Sequence, residues 1–226
     1  MAIIQSGASS TVLQTVDPTF LAARTSNRPP EILGAYSLGL VSGALTVAAA
    51  GAPVYSFRWA PPTATNLCMV RRVRVGFSTI TAFTTAQALQ YSMTIARAFN
   101  ANDTGGTAAL FTQTNTGKLR TTMPNSAFVG GGQIMIANTG AMTAVTRTLD
   151  TQATGYVQGS ATAIGTTLTS TPIYDHQAGD YPLILANNEG FVISNVTTMG
   201  AVGVINLTVS VEWMELAATT GNPIAY

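Results

Sequence analysis

His176 is the chain's only histidine, so no site can be built from two imidazoles acting as metal ligands or as an acid–base pair. Asp175 and Asp180 flank it and Tyr174 stands beside them, the residue types of a carboxylate–imidazole couple. The polar stretch from Tyr174 to Tyr181 nevertheless reads as a solvated, turn-like loop. A serine nucleophile needs a sharp strand-to-helix turn, and Gly39-Leu40-Val41-Ser42-Gly43 has the wrong spacing for one. Gly130-Gly131-Gly132 has no following lysine and no helix, so it is no phosphate-binding loop. Cys68 is the sole cysteine, which excludes an intrachain disulfide and a cysteine-based zinc site. Glycoside hydrolysis would require two carboxylates facing each other. Glu212 and Glu215 lie on or just beyond an ordered strand, and the other acids are scattered in turns. The sequons at Asn102, Asn195 and Asn206 are the chance triplets of an Asn- and Thr-rich chain. The expectation is a protein that is not an enzyme, with no catalytic residues, no cofactor and no metal.

The remaining chemistry is basic. Arg71, Arg72 and Arg74 form the one concentration of positive charge, and strand alternation puts Arg72 and Arg74 on one face and Arg71 on the other. A nucleic-acid surface would add further cations and interleaved aromatics. Bidentate pairing with carboxylates of the same or a neighbouring subunit suits these arginines better. With Lys+Arg 10 against Asp+Glu 9, the net charge of +1 generates no field that would steer the protein to nucleic acid or an anionic membrane.

Only 8% of the 226 residues are charged, against about a quarter in ordinary soluble domains. Lys118 is the only lysine. Such a chain covers its surface with hydroxyls, amides and backbone, or hides it against other subunits. Residues 38–52 are apolar, but they are too few and too rich in Gly, Ser and Ala for a membrane span. They read as a buried strand followed by an Ala-rich turn. The first residues show neither a basic leader nor an apolar core of signal-peptide length.

The elements that must position these groups are strands. Tyr55, Phe57 and Trp59 alternate with Val54, Ser56 and Arg58; Val73, Val75 and Phe77 alternate with Arg72 and Arg74; Tyr91, Met93 and Ile95 alternate with Ser92, Thr94 and Ala96. The cleanest run sets Ile205, Leu207, Val209, Val211 and Trp213 on one face, with Asn206, Thr208, Ser210 and Glu212 on the other. Gly- and Asn-rich clusters between the runs supply turns. Residues 82–89 offer the one short helix, and 139–172 read as a long loop or a peripheral hairpin. Residues 1–35 lack the strand period, contain Pro29-Pro30, and bear Ile3, Ile4, Val12, Leu13, Val16, Phe20 and Leu21. They are expected to form an extended arm that crosses a neighbouring subunit, ahead of a single β domain over 36–226. The fold class is all-β, an antiparallel two-sheet sandwich.

Three blocks together resemble the jelly-roll virion proteins of tailed bacteriophages that decorate or cement a capsid. They are the opening MAIIQSGASSTVLQTVDPT, the strand Tyr55-Ser56-Phe57-Arg58-Trp59, and a C-terminal block. That block contains Tyr181 to Leu185, Asn188 to Ile193, and Val209 to Trp213. The resemblance implies a two-sheet jelly roll, commonly trimeric, bound across junctions of the major capsid protein on a virion assembled in the host cytoplasm. The candidate partner-binding residues are Ile3, Ile4, Val12, Leu13 and Phe20 in the arm, with Arg71, Arg72 and Arg74 as intersubunit pairs. A tail or baseplate component and a main jelly-roll capsid subunit are alternatives, the latter weakened because residues 1–30 hold only Arg24 and Arg28 as bases. A carbohydrate-binding sandwich using Trp59, Tyr156, Tyr174 or Tyr181 is a third, although both tryptophans fall on apolar strand faces and read as core.

Overall fold

The structure, a computed structural model, describes residues 32–46, 48–111, 117–128, 133–177 and 180–217. Most of the expected arm, including Ile3, Ile4, Val12, Leu13 and Phe20, lies outside the described residues. The sandwich unit starts at Glu31, and its first strand at Ile32, a few residues earlier than strand periodicity alone suggests.

Among the described residues twelve strands follow in chain order: β1 (Ile32–Val41), β2 (Pro53–Arg58), β3 (Leu67–Thr81), β4 (Gln87–Phe99), β5 (Gly106–Ala108), β6 (Ile134–Ala137), β7 (Arg147–Leu149), β8 (Gly155–Ala161), β9 (Thr167–Asp175), β10 (Leu183–Leu185), β11 (Gly190–Asn195) and β12 (Val204–Leu216). One sheet has the order β1-β12-β3-β10, with β9 also on β3; the other runs β5-β6-β2-β11-β4-β7, with β8 also on β4. Every pairing is antiparallel.

The pairing has a nested logic. β1 pairs with β12, β2 with β11, β3 with β9 and β4 with β8, so the outermost strands in sequence close on each other and the next pair inward does the same. Alternate pairs fall in alternate sheets. This is a long antiparallel ribbon rolled around a core, the jelly-roll form of the two-sheet sandwich.

The two sheets meet through aromatic side chains. Phe57 stacks on Phe191 at 4.9 Å and meets Trp213 edge-on at 5.8 Å, while Phe128 packs edge-on against Trp59 at 5.0 Å. Such ring pairs add about 0.5–1.5 kcal/mol beyond the area they bury. The inward face of β12 is the one its alternation specified: Ile205, Leu207, Val209, Val211 and Trp213 are all buried. β2 departs from simple alternation, because Val54 and Ser56 are buried as well. The second sheet also carries a small outer cluster, in which Phe99 and Val145 pack with Ala96 and Val192.

Residues 82–89 do not form a helix. The chain bends, then enters β4 at Gln87, and Leu89, Tyr91 and Met93 point into the core with period two. Threonines at 84 and 85 are poor helix formers, and the sheet partner β8 decides the outcome. Likewise 139–172 is not one loop: it contains β7, β8 and most of β9, with Gly165 at φ 83° in the turn between the last two. That turn carries the chain from one sheet to the other, β8 pairing with β4 and β9 with β3.

Candidate functional site

Arg71, Arg72 and Arg74 lie on β3, but not as strict alternation places them. Val70 stands opposite Trp213 and Arg72 opposite Glu212, so β3 has one extra residue, Arg71, in a β-bulge. The bulge shifts the inward parity from Cys68 and Val70 to Val73, Val75 and Phe77. Without it Arg71 would share the face of Val73 and point into the core; with it Arg71 is exposed. Its carbonyl accepts a hydrogen bond from the His176 amide at 2.8 Å.

Arg72 is satisfied within its own chain. Its Nε donates to Asp175 Oδ1 at 2.8 Å, and Nη1 lies 3.6 Å from Glu212 Oε1. The hydrogen bond to Arg72 holds the Asp175 carboxyl below its ordinary range. Arg74 stands between Ser210 on β12 and Pro172 on β9, and its buried Nε has no acceptor among the described residues. Short residues stand on one side of it, Gly39 on β1, Ser210 and Thr208 on β12 and Gly76 on β3, and the Arg72–Glu212 pair occupies the next row on the other side. Of the three arginines, then, Arg72 is paired with Asp175 and Glu212, Arg74 adds to the positive field on Asp175 without a hydrogen bond to its Nε, and Arg71 is exposed.

The couple around His176 is not an acid–base pair. Asp175 is committed to Arg72, and the imidazole Nε2 meets the backbone carbonyl of Asp180 at 3.0 Å. The Tyr174 hydroxyl accepts from the Leu183 amide at 2.8 Å. Ser42 is equally structural: its hydroxyl donates to the Gly43 carbonyl and accepts from the Leu207 amide. Asn195, a sequon residue, is buried and donates to the carbonyls of Ala48 and Thr197. Trp59 and Trp213 are core residues, and the Trp59 indole N–H donates to the Asn66 carbonyl at 2.9 Å. Among the described residues no three His, Cys, Asp or Glu side chains are grouped to hold a metal ion, and no helix is long and apolar enough to cross a membrane.

Two buried polar sites were invisible to spacing. Glu215, 2% exposed, accepts from Ser126 Oγ at 2.6 Å, from the Ala127 amide at 2.9 Å and from the Trp213 indole at 3.2 Å. Burial raises its pKa, and these three donors partly oppose that rise. Cys68 lies opposite it on β3, and burial, with the nearby carboxylate second, pushes the thiol up. The cluster fastens the segment 117–128. Gly117 and Leu119 bond to β1 at Ser37 and Ala35, the Tyr36 hydroxyl reaches the Pro124 carbonyl at 2.9 Å, and Phe128 enters the aromatic core. The one available signal was position: Glu215 follows Trp213 by two residues, hence on the inward face.

Asp103 and Arg147 make the second site, a buried ion pair at 2.5 Å. Asp103 also accepts from the Val145 amide, and Arg147 lies over the Phe99 ring at 5.7 Å. Both sites tie segments distant in the chain to the sandwich. The outward face of β3 and β12 presents hydroxyls, which donate and accept hydrogen bonds, and guanidinium groups, which donate them. No protein-family model matches the chain, and no curated protein matches it in sequence.

Proposed function

We propose that this chain is a virion structural protein, a capsid decoration or cement protein that stabilises an assembled head by binding between major capsid subunits, as a homotrimer. The observation that supports this most is the outer face of the β1-β12-β3-β9 sheet. There Arg74, whose buried Nε has no acceptor among the described residues, stands between the Arg72–Glu212 row and a row of short residues, Thr208 and Gly76, which permit a partner to approach closely. Arginine is one of the residues enriched in the cores of specific protein interfaces. The low charge content and the apolar residues spaced through 1–30 are consistent with a protein held by neighbours. Bound subunits favour the assembled shell over its parts by their binding free energy.

The test is mass spectrometry and immunogold labelling of purified virions from the source of the gene. Labelling over the head supports the reading, and labelling at the tail supports the baseplate alternative. Absence of the chain from particles overturns both. Deleting residues 2–30 is expected to leave a folded sandwich that no longer decorates shells, and Arg71→Ala with Arg74→Ala to weaken decoration while leaving the melting temperature unchanged. Full occupancy by these variants contradicts the assignment of the interface.

A further inference from the structure

The outer face of the second sheet holds a group of polar side chains that make no hydrogen bond among the described residues. On β8, Val157 and Ala161 are buried, so Tyr156 and Gln158 point outward, and Tyr156 is 55% exposed. On β4, Leu89, Tyr91 and Met93 are buried, so Gln90, Ser92 and Thr94 share that outer face. The registers align them in rows. Tyr156 stands opposite Ser92, which stands opposite Ser194 of β11; Gln158 stands opposite Gln90. Directly opposed side chains sit about 5 Å apart at Cβ, and neighbouring strands about 4.8 Å apart. Tyrosine, two amides and two hydroxyls thus occupy one patch across three strands, roughly 10 Å by 7 Å.

None of the side chains of Gln90, Gln158, Ser92 or Ser194 is hydrogen-bonded to a described residue, so their donors and acceptors are uncommitted. No charged residue occupies these rows. A nucleic acid or a phosphorylated ligand would need cations here. An apolar ligand would need a groove rather than a flat polar sheet. Among the described residues β8 bonds to β4 alone, which leaves the tyrosine at the sheet margin where a chain-like ligand can lie across it.

The geometry points to a binding site for a neutral polysaccharide, with a pyranose ring stacked on Tyr156. The C–H face of a sugar ring matches the flat apolar face of the phenol. Vicinal hydroxyls match carboxamides, each of which both donates and accepts. Gln158 and Gln90 then read the hydroxyls of the stacked unit, and Ser92 and Ser194 contact the next unit along the row. This site does not depend on the capsid assignment: it lies on the other sheet from Arg74 and uses none of the same residues.

The experiment is to probe the full chain on an array of immobilised neutral oligosaccharides of glucose, mannose, galactose and N-acetylglucosamine, followed by titration of any hit. Binding of at least one class is expected. Tyr156→Ala should weaken it about tenfold or abolish it, and Tyr156→Phe, which keeps the ring, should retain it. Gln158→Ala should weaken binding or change the preferred sugar. Unchanged melting of these surface variants would show that the loss is not unfolding. Failure of the full chain to bind any member of the set, or binding indifferent to Tyr156→Ala, overturns the inference.

Discussion

The Ser126 hydroxyl donates to Glu215 Oε1 across 2.6 Å, joining residues 89 positions apart in a site that water does not reach. The same carboxylate accepts from the Ala127 amide and the Trp213 indole, so one acid organises the loop that closes an end of the aromatic core. Its role here is to hold the chain together.

Glu215→Ala leaves two buried donors, the Ser126 hydroxyl and the Trp213 indole, and the part-buried Ala127 amide without an acceptor, and each unmet buried group costs about 1–3 kcal/mol. The expected loss of stability is about 3 kcal/mol, read as a lower urea midpoint. Ser126→Ala removes one donor from a shared acceptor and the acceptor of the Phe128 amide, and should cost about 1–2 kcal/mol. Equal losses for the two variants would contradict the cluster described above.

The acid also sets a pH response. In the folded protein Glu215 holds its proton above the ordinary value of 4.5, because burial outweighs its donors. The folded state then binds a proton that the unfolded chain has released. This contribution is full below 4.5 and is lost as pH rises through the folded value. Asp175 and Asp150 act oppositely. Hydrogen bonds to Arg72 and Arg97 depress them below 3.8, so their contributions are present above 3.8 and are lost as pH falls through the folded values. From these groups stability is greatest between 3.8 and 4.5. Chemical denaturation across mildly acidic to neutral pH should show wild-type stability declining as pH rises, and Glu215→Gln should flatten that decline. An unchanged slope in the variant would assign the response to another group.

Asp103 and Arg147 form a pair whose side chains are 0% and 7% exposed. Breaking it with Asp103→Ala strands a buried guanidinium, and the expected cost is about 3–5 kcal/mol. Replacing both with apolar residues of similar volume should recover most of that loss, because neither desolvated charge then remains. Thermal melts of the single and double variants make the comparison; a double variant no better than the single one would count against a desolvation origin.

Gly190 begins β11 between Arg58 of β2 and Ala96 of β4. A Cβ there would fall on the Phe57 carbonyl oxygen, a backbone atom within the sheet, with the Phe99 ring 2.9 Å away. Gly190→Ala is therefore expected at the upper end of the roughly 1–3 kcal/mol typical of overpacking. Gly39→Ala is its control: nothing lies within 4 Å of the added carbon, and its melting point should stay close to wild type.

Local pattern carried a good deal of this architecture. Ile205 to Trp213 could bury only one face, whatever their partners, because side chains alternate along an extended backbone. The scarcity of charge, the lone histidine and the lone cysteine bounded the chemistry before any contact was known. Tertiary structure decided what depends on residues far apart in the chain. It inserted the bulge that turned Arg71 outward, and it matched Arg72 with Asp175 across 103 positions. It brought Ser126 to Glu215, drew residues 87–89 into a strand, and aligned Tyr156 with Ser92 and Ser194. Periodicity tells a strand which side to hide; only pairing with another strand sets its register, and register decides which side chains meet.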